Sequence, residues 1–170
     1  MLLSLALAAV LVSPCTRGSA AASVLPELPG VWKVLSLSGL DRARPDTMRA
    51  EATIEVDLRE CLLREHLVAR SETTPYESLA LWGVNGADST IQRVFVHSQH
   101  GAFGMYQGRR RGSEIALRQI PLTLQPNAAI VLNRVEIAGR DHFAITSLIS
   151  SDSGRTWQTL SRRDYQRTSP

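Results

Sequence analysis

From residue 23 onward the apolar residues of this chain recur at every second position, and no long stretch carries a helical period. Ala52, Ile54, Val56 and Leu58 alternate with Thr53, Glu55, Asp57 and Arg59. Val131, Asn133, Val135 and Ile137 share one parity, and Phe143, Ile145 and Ile149 share another. Such alternation sends successive side chains to opposite faces of a sheet. Turn-forming residues break the pattern at Gly39 to Pro45, Thr74-Pro75, Asn85-Gly86, Gln99 to Gly101, Gly108 to Gly112, Pro121 to Asn127, Gly139 to Asp141 and Asp152 to Gly154. The result is about ten short strands whose spacing leaves no room for crossovers, so they form an antiparallel meander. Closing a meander of that length removes its two exposed edges. The expected fold class is therefore all-β, an antiparallel up-and-down barrel, with a two-sheet sandwich as the alternative that periodicity does not separate. Residues 41–50 leave room for a short helical turn across one mouth.

The 170 residues suit one domain, and an apolar fraction of 44% with a net charge of +3 excludes a disordered chain. Lys33 is the only lysine, and an arginine bias of this kind is weak evidence for a nucleic-acid partner, so none is expected. Leu2 to Val12 is a nearly unbroken apolar run, too short to span a bilayer, and Gly18 to Ala22 supplies small residues. Residues 1–22 read as a signal peptide cut after Ala22, which leaves 23–170 as the domain and directs it to the periplasm or the exterior. Cys15 would leave with the leader. Cys61 would then stand alone, with no intramolecular disulfide, and its flank Leu62-Leu63 reads as buried core.

Three local patterns stand out. The first is Leu28-Pro29-Gly30-Val31-Trp32, a G-x-W at the start of the first strand. The second is Val94 to Gly101, followed by Gly108. The third is Ser150-Ser151-Asp152-Ser153-Gly154-Arg155-Thr156-Trp157, closing with Tyr165-Gln166-Arg167. Together they resemble a secreted bacterial family of lipocalin-like barrels of unknown function, whose wider kin are the calycins: lipocalins, fatty-acid-binding proteins and nitrobindin. The resemblance covers most of residues 28 to 167. It implies that Trp32 closes one end of the barrel with an arginine, Arg167 or Arg163, across the indole. It gives Gly30, Trp32, Tyr165 and Arg167 structural roles.

Ser150 to Trp157 also matches the S-x-D-x-G-x-T-W Asp-box of sialidase propellers. A single copy in a chain this short argues against a propeller. In such a hairpin Asp152 accepts from backbone N–H groups of its own turn, Gly154 supplies a positive φ and Trp157 caps the turn.

The chain contains no G-x-S-x-G elbow, no glycine-rich phosphate loop leading into a helix and no H-E-x-x-H. No metal site is expected, because His97 and His100 lack further ligands beside them and read as loop histidines. The kinship with nitrobindin makes haem an alternative cofactor, with His142 as the nearest positional match for its ligand; otherwise no cofactor is expected.

Polar residues inside apolar strands mark a candidate ligand site. Glu65 shares parity with Leu63, Leu67 and Ala69; Arg93 shares it with Ile91 and Phe95; Arg134 shares it with Leu132 and Ile130. Pointing inward, they would form a polar floor for a carboxylate or phosphate, with Trp82, Phe95 and Tyr106 as aromatic walls. Pointing outward, they would simply face solvent. The expected function is binding of a small apolar or amphipathic molecule in the barrel. The alternatives are a filled barrel that works through its surface, or an enzyme using the inward carboxylate and arginines.

Overall fold

The computed structural model describes residues 20–39, 46–69, 75–99, 101, 103–121 and 129–168. Ten antiparallel strands close into one barrel, each paired with its neighbours in sequence and the last with the first. They are β1 (Gly30–Ser38), β2 (Asp46–Asp57), β3 (Leu62–Ala69), β4 (Tyr76–Asn85), β5 (Thr90–His97), β6 (Gly104–Arg111), β7 (Glu114–Ile120), β8 (Ile130–Ile137), β9 (His142–Ser150) and β10 (Gln158–Arg167). A short helix, α1 (Ala21–Val24), precedes them. Closure leaves no unpaired edge, as the meander required.

Two sequence expectations are corrected along the strands. Residues 46–50 belong to β2 rather than to a helical turn, while 41–45 lie outside the described residues. The break expected at Gly108 is strand, and the chain turns only at 112–113. Gly108 is there because β7 comes close: a Cβ would sit 1.7 Å from the Ala116 carbonyl oxygen.

The turns at 58–61, 86–89, 112–113 and 138–141 lie at one end of the barrel, together with the segment leading into β1. That closed end holds the main apolar core. Leu25, Leu28, Trp32, Leu63, Ile91, Ile115, Leu117, Val135 and Phe143 are all buried there. The connections at the other end lie largely outside the described residues.

The G-x-W motif organises the closed end. Trp32 packs edge-on against Phe143, with ring centroids 4.8 Å apart, and its indole N–H donates to the Leu28 carbonyl at 3.0 Å. Of the two arginines the resemblance offered, Arg167 lies over the indole, 4.2 Å from the ring centroid. Its guanidinium also donates to the carbonyls of Glu27, Pro29 and Arg140. Gly30 is required twice over: its φ is +148°, and a Cβ would fall 1.9 Å from Arg167 Nη1. Arg110 fastens the same segment through a two-pronged ion pair with Glu27 and a hydrogen bond to the Val24 carbonyl.

Residues 1–19, most of the expected leader, lie outside the described residues, but its expected end does not. Ala20 and Ala21 are buried, and Ala21 belongs to the closed-end core. Cys61 departs from expectation. It is half-buried in the turn at 58–61 rather than in the core, because the barrel wall begins only at Leu62. It is disulfide-bonded, and the chain's one other cysteine, Cys15, lies outside the described residues.

The hairpin between β9 and β10 is held by its own side chains. Asp152 accepts from the Thr156 backbone N–H at 2.9 Å and from the Thr156 hydroxyl at 2.6 Å. Ser150 donates its hydroxyl to Asp152 and accepts from the Gly154 N–H at 2.8 Å. Ser153 and Gly154 both take positive φ, and the Trp157 ring lies against Gly154.

Candidate functional site

Above the apolar core the inner face turns polar. Glu65 on β3 and Arg93 on β5 both point inward and are buried, with side chains 2% and 3% exposed. They form an ion pair, Arg93 Nη2 to Glu65 Oε2 at 3.2 Å. A buried carboxylate survives only if its lone pairs are filled. Here the Trp82 indole N–H donates to Oε2 at 3.0 Å, and the Tyr165 hydroxyl donates to Oε1 at 2.7 Å. Burial pushes the Glu65 carboxyl up, but Arg93, Tyr165, Arg163 and Trp82 outweigh it and hold the group below the ordinary carboxylate value.

A second arginine shares the interior. Arg163 on β10 donates to the Tyr76 hydroxyl at 2.7 Å and lies over the rings of Tyr76 and Phe95, 5.5 and 5.3 Å from their centroids. Arg93 lies 4.8 Å over both Trp82 and Phe95. Phe95 is thus flanked by two guanidiniums, an arrangement that stabilises the cations without neutralising them. Burial opposes the Arg163 charge, but the oxygens of Tyr165, Tyr76 and Glu65 favour it more, so it stays protonated. The centre holds two positive charges against one negative. Arg93 Nε is buried and makes no hydrogen bond among the described residues.

Of the ligand-site residues read from sequence, Glu65, Arg93, Trp82 and Phe95 meet at this centre. Tyr106 joins them from β6, directly opposite Arg93 and packed against the core. Arg134 does not. It faces outward, exposed, 3.5 Å from Glu114, and the inward polar residue of β8 is its neighbour Asn133. Asn133 accepts from the Ser147 hydroxyl at 2.7 Å.

Sequence reasoning missed three members of the centre. Tyr165 was read as structural, yet its hydroxyl completes the Glu65 shell. Arg163 is offered by the resemblance only as a partner for Trp32, and Tyr76 is not picked out at all. The usable signal was the parity of Arg163, Tyr165 and Arg167, which places all three on one face of β10. His97, read as a loop histidine, is the last residue of β5. Its ring stacks on Tyr76 at 5.6 Å.

His142 does not fit a haem in the barrel. It is out of phase with the inward Phe143 and Ile145, and its ring lies 3.6 Å from Asp164, which is out of phase with the inward Arg163 and Tyr165. Among the described residues no group of three His, Cys, Asp or Glu side chains could hold a metal ion, and no helix is long and apolar enough to cross a membrane.

No family model matches the chain, and no curated protein matches it in sequence. Solved structures do match its shape. Rv2717c from M. tuberculosis superposes with a TM-score of 0.63 at 15% identity, covering 87% of this chain and 97% of that one. The S-type phycobiliprotein lyase CPES from Guillardia theta gives 0.55 at 15% identity, over 86% of this chain and 91% of the other. At these identities the likeness is one of fold, and the fold is a closed ten-stranded antiparallel barrel.

Proposed function

We propose that the chain is an exported barrel that binds a small amphipathic molecule through an anionic group. The observation that carries this is the interior centre of buried Arg93 and half-buried Arg163, which a single carboxylate leaves net positive. A charge partly withdrawn from water and left without a counter-ion is costly to hold, and an anion that pairs with it recovers that cost. An anionic group reaching Arg163 and the unused Arg93 Nε would complete the pairing. The apolar part of the ligand would lie against Phe95 and Tyr106, both half-buried on the inner face.

Two measurements test the reading. Native mass spectrometry of protein purified from its own host shows whether a small anion travels with it. Titration with the amphipathic anion anilinonaphthalene sulfonate, against an uncharged anilinonaphthalene, reads the charge requirement. Arg163→Met is expected to weaken anion binding about tenfold to a hundredfold, the range for a charge-assisted hydrogen bond, and to leave the uncharged probe unchanged. Phe95→Ala is expected to weaken both. Equal binding of the anion by wild type and Arg163→Met, both folded, would overturn the proposal.

A further inference from the structure

The outer wall of the barrel carries an apolar face toward the end opposite α1. Register sets Leu79 opposite Val96, and Leu81 opposite Val94. Val94 in turn faces Met105, and Met105 faces Ile120. All six are out of phase with the inward residues of their strands, so they form a continuous band across β4 to β7. Leu79 and Met105 are each 37% exposed, and Phe103, at the entry to β6, is 60% exposed. Soluble barrels usually make the outer wall polar, which gives a contiguous apolar band a meaning that one exposed leucine lacks.

Charge lies on the same wall. Further along β6 and β7, toward the closed end, Arg109, Arg111 and Arg118 are all exposed. Arg64 and Arg162 elsewhere on the outer wall pair with carboxylates, whereas none of these three forms an ion pair among the described residues. Ala116 stands opposite Arg109, Gln107 opposite Arg118 and Glu114 opposite Arg111; Glu114 is engaged by Arg134 and the field of Arg109 reaches Asp88, so arginine outnumbers carboxylate on this part of the wall. A second copy of this chain presents the same excess of arginine on this face and no complementary acidic patch.

We infer that this face docks on a lipid surface rich in anionic headgroups. The band from Leu79 to Ile120, with Phe103, enters the boundary between headgroups and acyl chains, while Arg109, Arg111 and Arg118 contact the phosphates. Docking in this orientation brings the end of the barrel opposite α1 beside the bilayer. The inference stands on the outer wall alone and does not depend on what the interior binds.

Co-sedimentation of the full exported chain with vesicles tests it. Binding is expected to phosphatidylcholine vesicles containing phosphatidylglycerol, weakening as salt rises, with little binding to phosphatidylcholine alone. Arg109→Glu/Arg118→Glu is expected to lower partitioning about tenfold or more. Leu79→Ser/Met105→Ser is expected to lower it on the same vesicles. These side chains are on the surface, so both variants should keep the wild-type melting temperature, which confirms that folding is intact. Absence of binding, equal binding to both kinds of vesicle, or undiminished binding by Arg109→Glu/Arg118→Glu would overturn the inference. So would a dimer that Leu79→Ser/Met105→Ser converts to monomer.

Discussion

Tyr165 donates its hydroxyl to Glu65 Oε1 at 2.7 Å, joining the last strand to the third across the interior. Burial first, and then the adjacent carboxylate, push the Tyr165 hydroxyl far up, so it remains a donor throughout the physiological range. The ring serves the core as well, stacked on Phe143 with centroids 4.1 Å apart. One side chain therefore belongs to both the apolar closed end and the charged centre above it. With Arg93, the larger influence, the Tyr165 hydrogen bond keeps a carboxylate with a side-chain exposure of 2% ionised.

Tyr165→Phe keeps the ring and removes the donor. It should destabilise the protein by about 1–3 kcal/mol, the cost of leaving a buried acceptor short of a partner. The effect should also depend on pH. The folded-state pKa of Glu65 lies below its unfolded value, so its contribution is present above the unfolded value and is lost as pH falls through the folded one. Tyr165→Phe raises the folded pKa and shrinks that contribution. Denaturant melts between pH 3 and 7 should show a penalty that is largest near neutrality and narrows toward acid; a penalty independent of pH would sink the assignment.

The limits of the sequence reading follow from which strands carry apolar residues on both faces. Glu65 and Arg93 interrupt clean inward rows, Leu63-Leu67-Ala69 and Ile91-Phe95, and they point where parity sends them. On β8 both parities are apolar toward the end opposite α1, with Ile130 and Leu132 on one and Val131 on the other. Arg134 was therefore assigned to the wrong face while Asn133 sat on the right one. The same two-sidedness on β5 concealed Val94 and Val96 as parts of an outer surface. Parity gives the face of Tyr165 and Arg163, but the pairing of these two and of Tyr76 was out of reach for another reason. Their partners lie on strands distant in sequence, and only the closure of β10 onto β1 brings them together.

Asp152 stabilises its hairpin only while ionised. Hydrogen bonds from the Thr156 side chain and backbone, and from Ser150, hold its pKa down at about 2. Because this lies below the unfolded value, the contribution is complete above about pH 4 and disappears as pH falls toward 2. Asp152→Asn should melt lower than wild type at pH 7, and the gap should close by pH 2. Ligand affinity should be unaltered, since the turn holds its own residues and touches none of the interior site. A variant with native melting behaviour but lost binding would show that the hairpin belongs to the site.

Where the folded domain begins is the last test. A cut after Ala22 would remove Ala20 and Ala21, both buried beneath the barrel, while Arg110 would still hold Val24 and Glu27. Deleting two buried methyl groups costs about 2 kcal/mol, worth roughly 4–8 °C in a domain of this size. A chain beginning at Ser23 should accordingly melt several degrees below one beginning at Ala20, with the same fold by circular dichroism. The disulfide at Cys61 adds a second readout. The chain's one other cysteine, Cys15, lies on the far side of the expected cut. Intact mass of exported protein before and after reduction separates the outcomes. A leader fragment released only by reductant would mean that the cut after Ala22 and the bond coexist. A mass beginning at Ser23, unchanged by reductant, would mean that the bond is lost with the leader. Retention of residues 15–22 in one continuous chain would place the cut upstream and keep Ala20 and Ala21 in the core.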